Sequence, residues 1–290
     1  MSNKISITIP GADFSATGLV SQDIYDPITA LGTDLMAFFD AEDASTITVD
    51  SGKVTSWASR VGSLTLSNYD AAYKPDYLVD GWGTGIPAVD FSAGAGVTGT
   101  VLTNTSGPVN DAGMSVFAVV KRGTQLDGSS SSMRPVMQLP VALKSAVRQQ
   151  GLLGVWRPTT SPTQDYATAG QFTGSSFSNN SNVQGFAAGG KGLLYGEFPN
   201  TDAIKARLNG GLPGPTKIYY DVANASTWSM GGQRNVADES FDGSVFMVLV
   251  VKGVPSDAVR QKIEGYCMWR AGIEAQLPIA HPYYRDGPYV

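Results

Sequence analysis

Two near-continuous apolar runs, Met114–Val120 (MSVFAVV) and Val245–Val251 (VFMVLVV), most constrain what this chain can fold into. Both are far shorter than the ~20 residues a membrane-crossing helix needs. Both are rich in valine, which favours extended backbone. A strand with almost no polar face must be covered on both sides, so these runs predict central strands of a layered β structure.

The segments around them fit the same plan. Ile5, Ile7 and Ile9 alternate with Ser6 and Thr8 and stop at Pro10-Gly11, the pattern of a half-buried strand. LMAFFD ends in acids, and a turn at Asp50-Ser51-Gly52 leads into a strand with Val54 and Trp57 pointing inward. Leu64 and Leu66 alternate, and prolines mark two extended pieces around Lys74–Tyr77 and Gly85–Phe91. With 34 glycines, 16 prolines and only 16% charged residues, the 290-residue chain reads as many short strands joined by turns. Residues 123–215 read mainly as polar, glycine-rich loops, the usual place for binding surfaces, with short strands at Leu152–Trp156, Gly192–Phe198 and Ala203–Leu208. Lys217–Val222 and Thr227–Gly232 add further strands.

One helix is expected, after Pro255. Ser256 is its N-cap and Asp257 an acid in its first turn. Val259, Ile263, Tyr266, Cys267 and Ile273 fall on one face, with Arg260, Lys262, Glu264 and Arg270 largely off it. Gly272 and Leu277-Pro278 end it. The single cysteine, Cys267, therefore reads as a buried hydrophobe, and no intramolecular disulfide is available.

Net charge is −5 and the isoelectric point about 4.9, which leaves no electrostatic footprint for nucleic acid. No apolar stretch is long enough to span a membrane, and the N-terminus lacks the pattern of a signal peptide. The expectation is synthesis in the cytoplasm without signal-directed export. Residues 1–33 differ from the rest, and an exposed strand there offers unpaired backbone groups to a neighbour. We read 1–33 as an assembly arm carrying Ile5, Ile7 and Ile9, with an edge strand of the main domain as the alternative, and 34–290 as one domain.

Ile263-Glu264-Gly265-Tyr266, Trp269, Gly272, Leu277-Pro278 and His281-Pro282-Tyr283 resemble the ending of the laminin-G/concanavalin A-like lectin domains of bacteriophage structural proteins. Phe39-Asp40-Ala41, Asp43, Ser45-Thr46-Ile47, Gly52, Val54 and Trp57 resemble the opening of that family. Pro75, Tyr77, Pro87-Ala88-Val89, Phe91, Gly231-Gly232 and Phe241-Asp242-Gly243 resemble its middle. The match runs over residues 35–283. Departures are Phe38 or Phe39 for a tryptophan, Ser59 for an acid, and the inverted order of Trp269-Arg270.

The resemblance implies an all-β, two-sheet antiparallel jelly-roll sandwich with one short C-terminal helix and an N-terminal extended arm. It implies a virion structural protein of the tail, adsorption apparatus or a head-attached fibre, with host-surface glycan as a candidate ligand. Partners are other virion proteins through the arm, and copies of the same chain, a trimer being favoured. Lectin-like domains often hold calcium with loop acids, and Asp76, Asp80 and Asp90 are the candidate ligands; no other cofactor is expected.

Glycan binding needs an aromatic platform with amide and carboxylate neighbours. Trp82, Trp156, Tyr166 and Phe172 with Asn179 and Asn180 are the candidates, the competing role for both tryptophans being core caps at sheet edges. Enzymatic activity is not expected. Glycoside hydrolysis requires two carboxylates facing one cleft, and among five glutamates only Asp40/Glu42 and Asp238/Glu239 form close pairs with an aspartate. A depolymerase or glycoside hydrolase on the same fold is the alternative. The lone histidine, His281, is expected to pin the tail to the sandwich.

Overall fold

The computed structural model describes residues 25–68, 73–92, 100–108, 113–123, 133–142, 148–156, 165–172, 177–199, 203–217, 227–232 and 241–288. A short helix α1 (Pro27–Leu31) leads into β1 (Leu35–Asp40), β2 (Ile47–Asp50), β3 (Lys53–Ala58) and β4 (Thr65–Asn68). Next come β5 (Asp76–Gly83), β6 (Ile86–Asp90), β7 (Leu102–Asn104) and β8 (Gly113–Arg122). Four long strands follow: β9 (Met133–Ala142), β10 (Arg148–Trp156), β11 (Tyr166–Phe172) and β12 (Phe177–Gln184). The chain closes with β13 (Lys191–Pro199), β14 (Lys205–Leu208), β15 (Trp228–Met230), β16 (Gly243–Lys252) and the helix α2 (Asp257–Arg270).

The protein is all-β, and every strand pairing between these elements is antiparallel. The strands join in the order β12-β11-β10-β9-β15-β7-β4-β3-β5-β6-β16-β8-β13-β14, with β1 beside β16 and β2 beside β3. The sheet curls until its two ends meet: the Ala206 N–H on β14 donates to Ser181 Oγ on β12 at 2.9 Å. The result is nearly closed.

The two apolar runs become β8 and β16, which sit side by side. β16 is buried from Gly243 to Val251. One face of β13, the next strand beyond β8, looks across the interior at β10 and β11. There Gly196 of β13 lets the two layers approach, because a Cβ at that position would lie 3.1 Å from Leu153 and 3.3 Å from Ala169. The other face is roofed by α2, which packs across β8 and β13. Ile263, Cys267 and Met268 of the helix are buried, and Phe117 and Tyr195 stack beneath it with ring centroids 4.5 Å apart. Ser256 caps α2 by accepting from the Val259 N–H at 3.4 Å, and Gly272, at φ +64°, supplies the left-handed residue after its end.

The C-terminal tail then straps over the helix. His281 Nε2 lies 3.1 Å from Glu264 Oε2, the Tyr283 ring rests on Gly265, and the Trp269 indole donates to the Tyr283 carbonyl at 2.7 Å. The Tyr25 N–H donates to the Pro288 carbonyl at 2.8 Å, so the first described residue is tied to the last turn of the strap. Each aromatic of the HPY ending thus has a physical partner on α2. Ile5, Ile7 and Ile9, and with them most of the expected arm, lie outside the described residues.

Two expectations change. Among its described residues the stretch 123–215 is largely strand, not loop: β9 to β13 hold most of them. Consecutive antiparallel neighbours satisfy the backbone even where the side chains are polar, as in FSNNSNVQ, so neither apolar alternation nor an apolar run is needed. The polar side of α2 is also not all exposed. Arg260 is 5% and Glu264 0% exposed. Arg260 NH1 donates to both Glu264 oxygens at 2.6 and 2.7 Å, and the pair enters the interior as a unit. Lys217 bridges Ile204, while the rest of the expected Lys217–Val222 strand lies outside the described residues.

Alanine is the better helix former, by ~1 kcal/mol over glycine. Gly265→Ala is nonetheless expected to destabilise the protein by about 1–3 kcal/mol, because a Cβ there would meet the Tyr283 Cβ and ring at 2.8–2.9 Å. Chemical denaturation measures this, and a gain in stability would show that the strap does not lie on the helix in solution. Burial also pushes the Cys267 thiol well above its ordinary range. Since the thiolate is the reactive form, a disulfide reagent at pH 8 should leave the native protein unlabelled and titrate its single thiol only after denaturation.

Candidate functional site

The antiparallel register of β10 and β11 sets Trp156 directly opposite Tyr166. Their rings lie 5.6 Å apart, tilted by 44°, and both residues are half-buried. Residues two apart share a strand face, so Thr168 belongs to the same face as Tyr166. Thr168 Oγ1 donates to Asn182 Oδ1 on β12 at 2.5 Å. Leu153 and Ala169, of opposite parity, point at β13 instead, so the aromatic pair lies on the side away from the interior. Its footing is firm. Asp165, next to Tyr166, forms a buried ion pair with Arg122 of β8, and its carbonyl accepts from the Gly185 and Phe186 N–H groups. The arrangement offers two half-buried aromatic rings beside the Asn182 amide, carried on strands, with the fully buried Thr168 hydroxyl orienting that amide.

The other residues singled out in the sequence do not join this pair as one platform. Trp82 is 1% exposed and stacks on Phe246 with centroids 5.2 Å apart, and its indole donates to the Ala271 carbonyl at 2.8 Å. It is a core residue, which corrects its reading as an exposed platform. The cause is the irregular stretch of β5 between Leu78 and Gly83, where Gly81 permits a tight approach to Leu78. Phe172, Asn179 and Asn180 are placed by their backbones: Phe172 lies at the far end of β11 opposite Phe177, and the two asparagines lie on β12 beside its bulge.

The three aspartates proposed for calcium are spread out, which corrects that ligand set. Asp76 and Asp90 are cross-strand partners, but Asp80 lies in the irregular part of β5 between Leu78 and Gly83, outside that pairing. Each is engaged elsewhere: Asp76 with Lys53 at 2.7 Å, Asp80 with the Gly85 N–H at 2.6 Å, and Asp90 with the Ser244 hydroxyl at 2.8 Å. Among the described residues no three His, Cys, Asp or Glu side chains converge to hold a metal ion.

A second constellation lies where β1 runs out beneath the C-terminal end of α2. Arg270 NH2 reaches Asp40 Oδ2 at 3.0 Å and Glu42 Oε2 at 2.7 Å, and Arg60 NH1 reaches Asp40 at 2.9 Å. Arg270 NH1 also donates to the Tyr266 hydroxyl at 2.7 Å, and Tyr77 donates to the Ala41 carbonyl at 3.1 Å. Asp40 is fully buried, and burial raises its carboxyl above the usual range against the opposing pull of Arg270 and Arg60. The sequence shows the Asp40/Glu42 pair but not its arginines. They arrive from β3's exit and from a helix 228 residues away in sequence from Glu42, and no local pattern announces them.

No family model and no curated protein matches the sequence. Among solved structures, the chain is similar to the botulinum neurotoxin serotype D binding domain, with a TM-score of 0.50 and 9% identity over 81% of this chain and 52% of that one. It is similar to Trypanosoma rangeli sialidase in complex with sialic acid, with a TM-score of 0.49 and 12% identity over 79% of this chain and 32% of that one. A GH54 α-L-arabinofuranosidase gives a TM-score of 0.48 and 12% identity over 74% of this chain and 50% of that one. The chain spans about a third of the length of the sialidases it matches. At these identities the likeness is one of fold. The sequence reading expects no enzymatic activity; similar solved structures include sialidases and an arabinofuranosidase, so that expectation does not stand, and a likeness of this kind assigns the chain no activity.

Asp40 gives the arginine constellation a measurable pH signature. Its folded pKa lies above its unfolded one, so the stability it contributes is complete below the unfolded value and is lost as pH rises through the folded one. Arg270→Ala removes the strongest opposing pull, so the folded value rises further and the stability lost as pH rises becomes larger. The variant should fall about 3 kcal/mol below wild type at pH 7, and the gap should narrow as pH drops toward about 4. Denaturation midpoints across that range test it, and a gap independent of pH would contradict the assignment.

Proposed function

We propose that residues 34–290 form a two-sheet jelly-roll, lectin-like sandwich of a bacteriophage virion protein that holds host-surface glycans on its Trp156–Tyr166 face. The observation that carries the glycan reading is the register that sets those two rings together, part-exposed, beside Thr168 and Asn182. Aromatic rings bury the apolar faces of a sugar while neighbouring hydroxyl and amide groups take its hydrogen bonds.

Support for the virion setting comes from the sequence resemblance. Its ending is not a chance string: Glu264, Gly265, Trp269, His281 and Tyr283 each contact another of the set in the strap over α2. In this reading the protein sits in the tail, adsorption apparatus or a head-attached fibre, as a homo-oligomer, with a trimer favoured. The N-terminal arm, residues 1–33, attaches it to other virion proteins.

A second reading is cleavage of the bound glycan, and the Asp40/Glu42 pair favours it. Both carboxylates reach the same Arg270 nitrogen, at 3.0 and 2.7 Å, and glycoside hydrolysis works with two neighbouring carboxyl groups. Burial raises Asp40, as a proton-donating acid requires. Substrate entry requires the Arg270 guanidinium to withdraw.

An array of host-surface glycans tests the first reading. Binding by the wild type and a loss of at least about tenfold in Trp156→Ala and Tyr166→Ala are expected, and a blank array removes the glycan claim. Release of reducing ends from host capsule or lipopolysaccharide tests the second. Glu42→Gln and Asp40→Asn should both abolish it, and no release by the wild type discards that reading.

A further inference from the structure

The strand registers assemble a polar row that no single segment of sequence contains. Lys53 pairs with Asp76, Asp76 with Asp90, Asp90 with Ser244, Ser244 with Lys121, and Lys121 with Lys191. Directly paired residues share one face of a sheet, so six side chains from six adjacent strands line up, about 4.8 Å apart from strand to strand. Phe117 and Tyr195, four residues along β8 and β13 on the same face, lie under α2. The row itself lies past the end of the helix, where the Ala271 carbonyl meets the Trp82 indole.

The row is charge-balanced at one end and not at the other. Lys53 and Asp76 form an ion pair at 2.7 Å, and Asp90 Oδ1 accepts from the Ser244 and Ser92 hydroxyls at 2.8 and 3.1 Å. Lys121 and Lys191 stand directly opposite each other. Among the described residues, neither is within ion-pair distance of a carboxylate. Like charges directly opposed across strands are destabilising. Burial and the Lys121 charge lower the Lys191 ammonium below its usual range, and its Nζ sits 4.8 Å above the centroid of the buried Trp82 ring. Trp82 holds the Lys191 head beside Lys121, where an anion would relieve the repulsion.

We propose that Lys121 and Lys191 form an anion-binding subsite, taking a carboxylate, sulfate or phosphate group of an acidic glycan whose chain runs across the strands along Ser244 and Asp90. This rests on the glycan-binding reading above and gives it a substrate class. The ammonium groups supply charge-assisted donors to the anionic group. Ser244 is buried and donates to Asp90, so along the row the half-buried Asp90 carboxylate is the group that accepts a sugar hydroxyl. Because the row lies on the face roofed by α2, it is separate from the Trp156–Tyr166 pair on the opposite layer.

The full chain is titrated by NMR of the lysine side-chain amines, alone and with glucuronate, sulfate, phosphate or glucose. The Lys191 pKa should rise with at least one anion and stay unchanged with glucose. The anion that acts separates a uronic acid from a sulfate or phosphate ester. In Lys121→Gln the Lys191 pKa should already be raised without any anion. No movement with any of the three anions overturns the subsite. On the glycan array, Lys121→Gln/Lys191→Gln should lose about tenfold or more for acidic glycans and keep its affinity for neutral ones. Equal loss for both also overturns it. A titration response with a blank array keeps the anion subsite and fails the glycan reading; array binding by neutral glycans with no titration response does the reverse.

Discussion

Strand β16 dictates the architecture. A strand buried from Gly243 to Val251 cannot face water on either side, so the molecule has to supply two covers. The first is the rest of the sheet, which curls round until β10 and β11 lie against β13 through Gly151 and Gly196, and Ser181 meets Ala206 at the seam. The second is α2. A lone helix of 14 residues with a narrow apolar stripe is a poor roof. The tail completes it by strapping across from His281 to Pro288, fixed by the His281–Glu264 side-chain contact, a ring on a glycine and two backbone carbonyls. The final 40 or so residues therefore form a single cover.

That cover is unusual in how much charge it buries. Arg260 and Glu264 enter the interior as a bidentate pair with His281 alongside, and Arg270 and Arg60 converge on Asp40. Removing one partner of a buried pair costs far more than the pair itself contributes. Such networks fix where a helix sits more than they add to its stability. They explain why the ending of this chain carries so many polar residues at defined spacings, and why a hydrophobic-stripe reading of α2 misplaces Arg260 and Glu264.

Legibility in the sequence followed locality. The strands β8 and β16, the inward Val54 and Trp57, and the capped helix were all readable, because each is written in a few consecutive residues. Of the strands β9 to β12 only the Leu152–Trp156 part of β10 was readable; the backbone pairing of the rest tolerates glycine and asparagine and leaves no apolar alternation to see. Trp156, at the end of that strand, and Tyr166, in a stretch read as loop, were named as separate candidates, and only the register of β10 on β11 brings them together. Trp82 looked equivalent to Trp156 and is instead a buried post under Lys191, a difference set by the irregular run through Gly81. The lysine row draws on six strands from β3 to β16, so no motif search along the chain can find it.

The central claim is that glycan is held on the face of Trp156 and Tyr166. The chain has five tryptophans, and each indole N–H gives a separate signal in a nitrogen–proton correlation spectrum. Trp57, Trp82 and Trp228 are buried to 1% exposure or less, and Trp269 is tied to Tyr283. On titration with a glycan that the array selects, the account predicts that the Trp156 signal moves with saturable dependence while the buried Trp57 and Trp228 indoles stay fixed. A Trp156 signal that does not move while the glycan binds would contradict it.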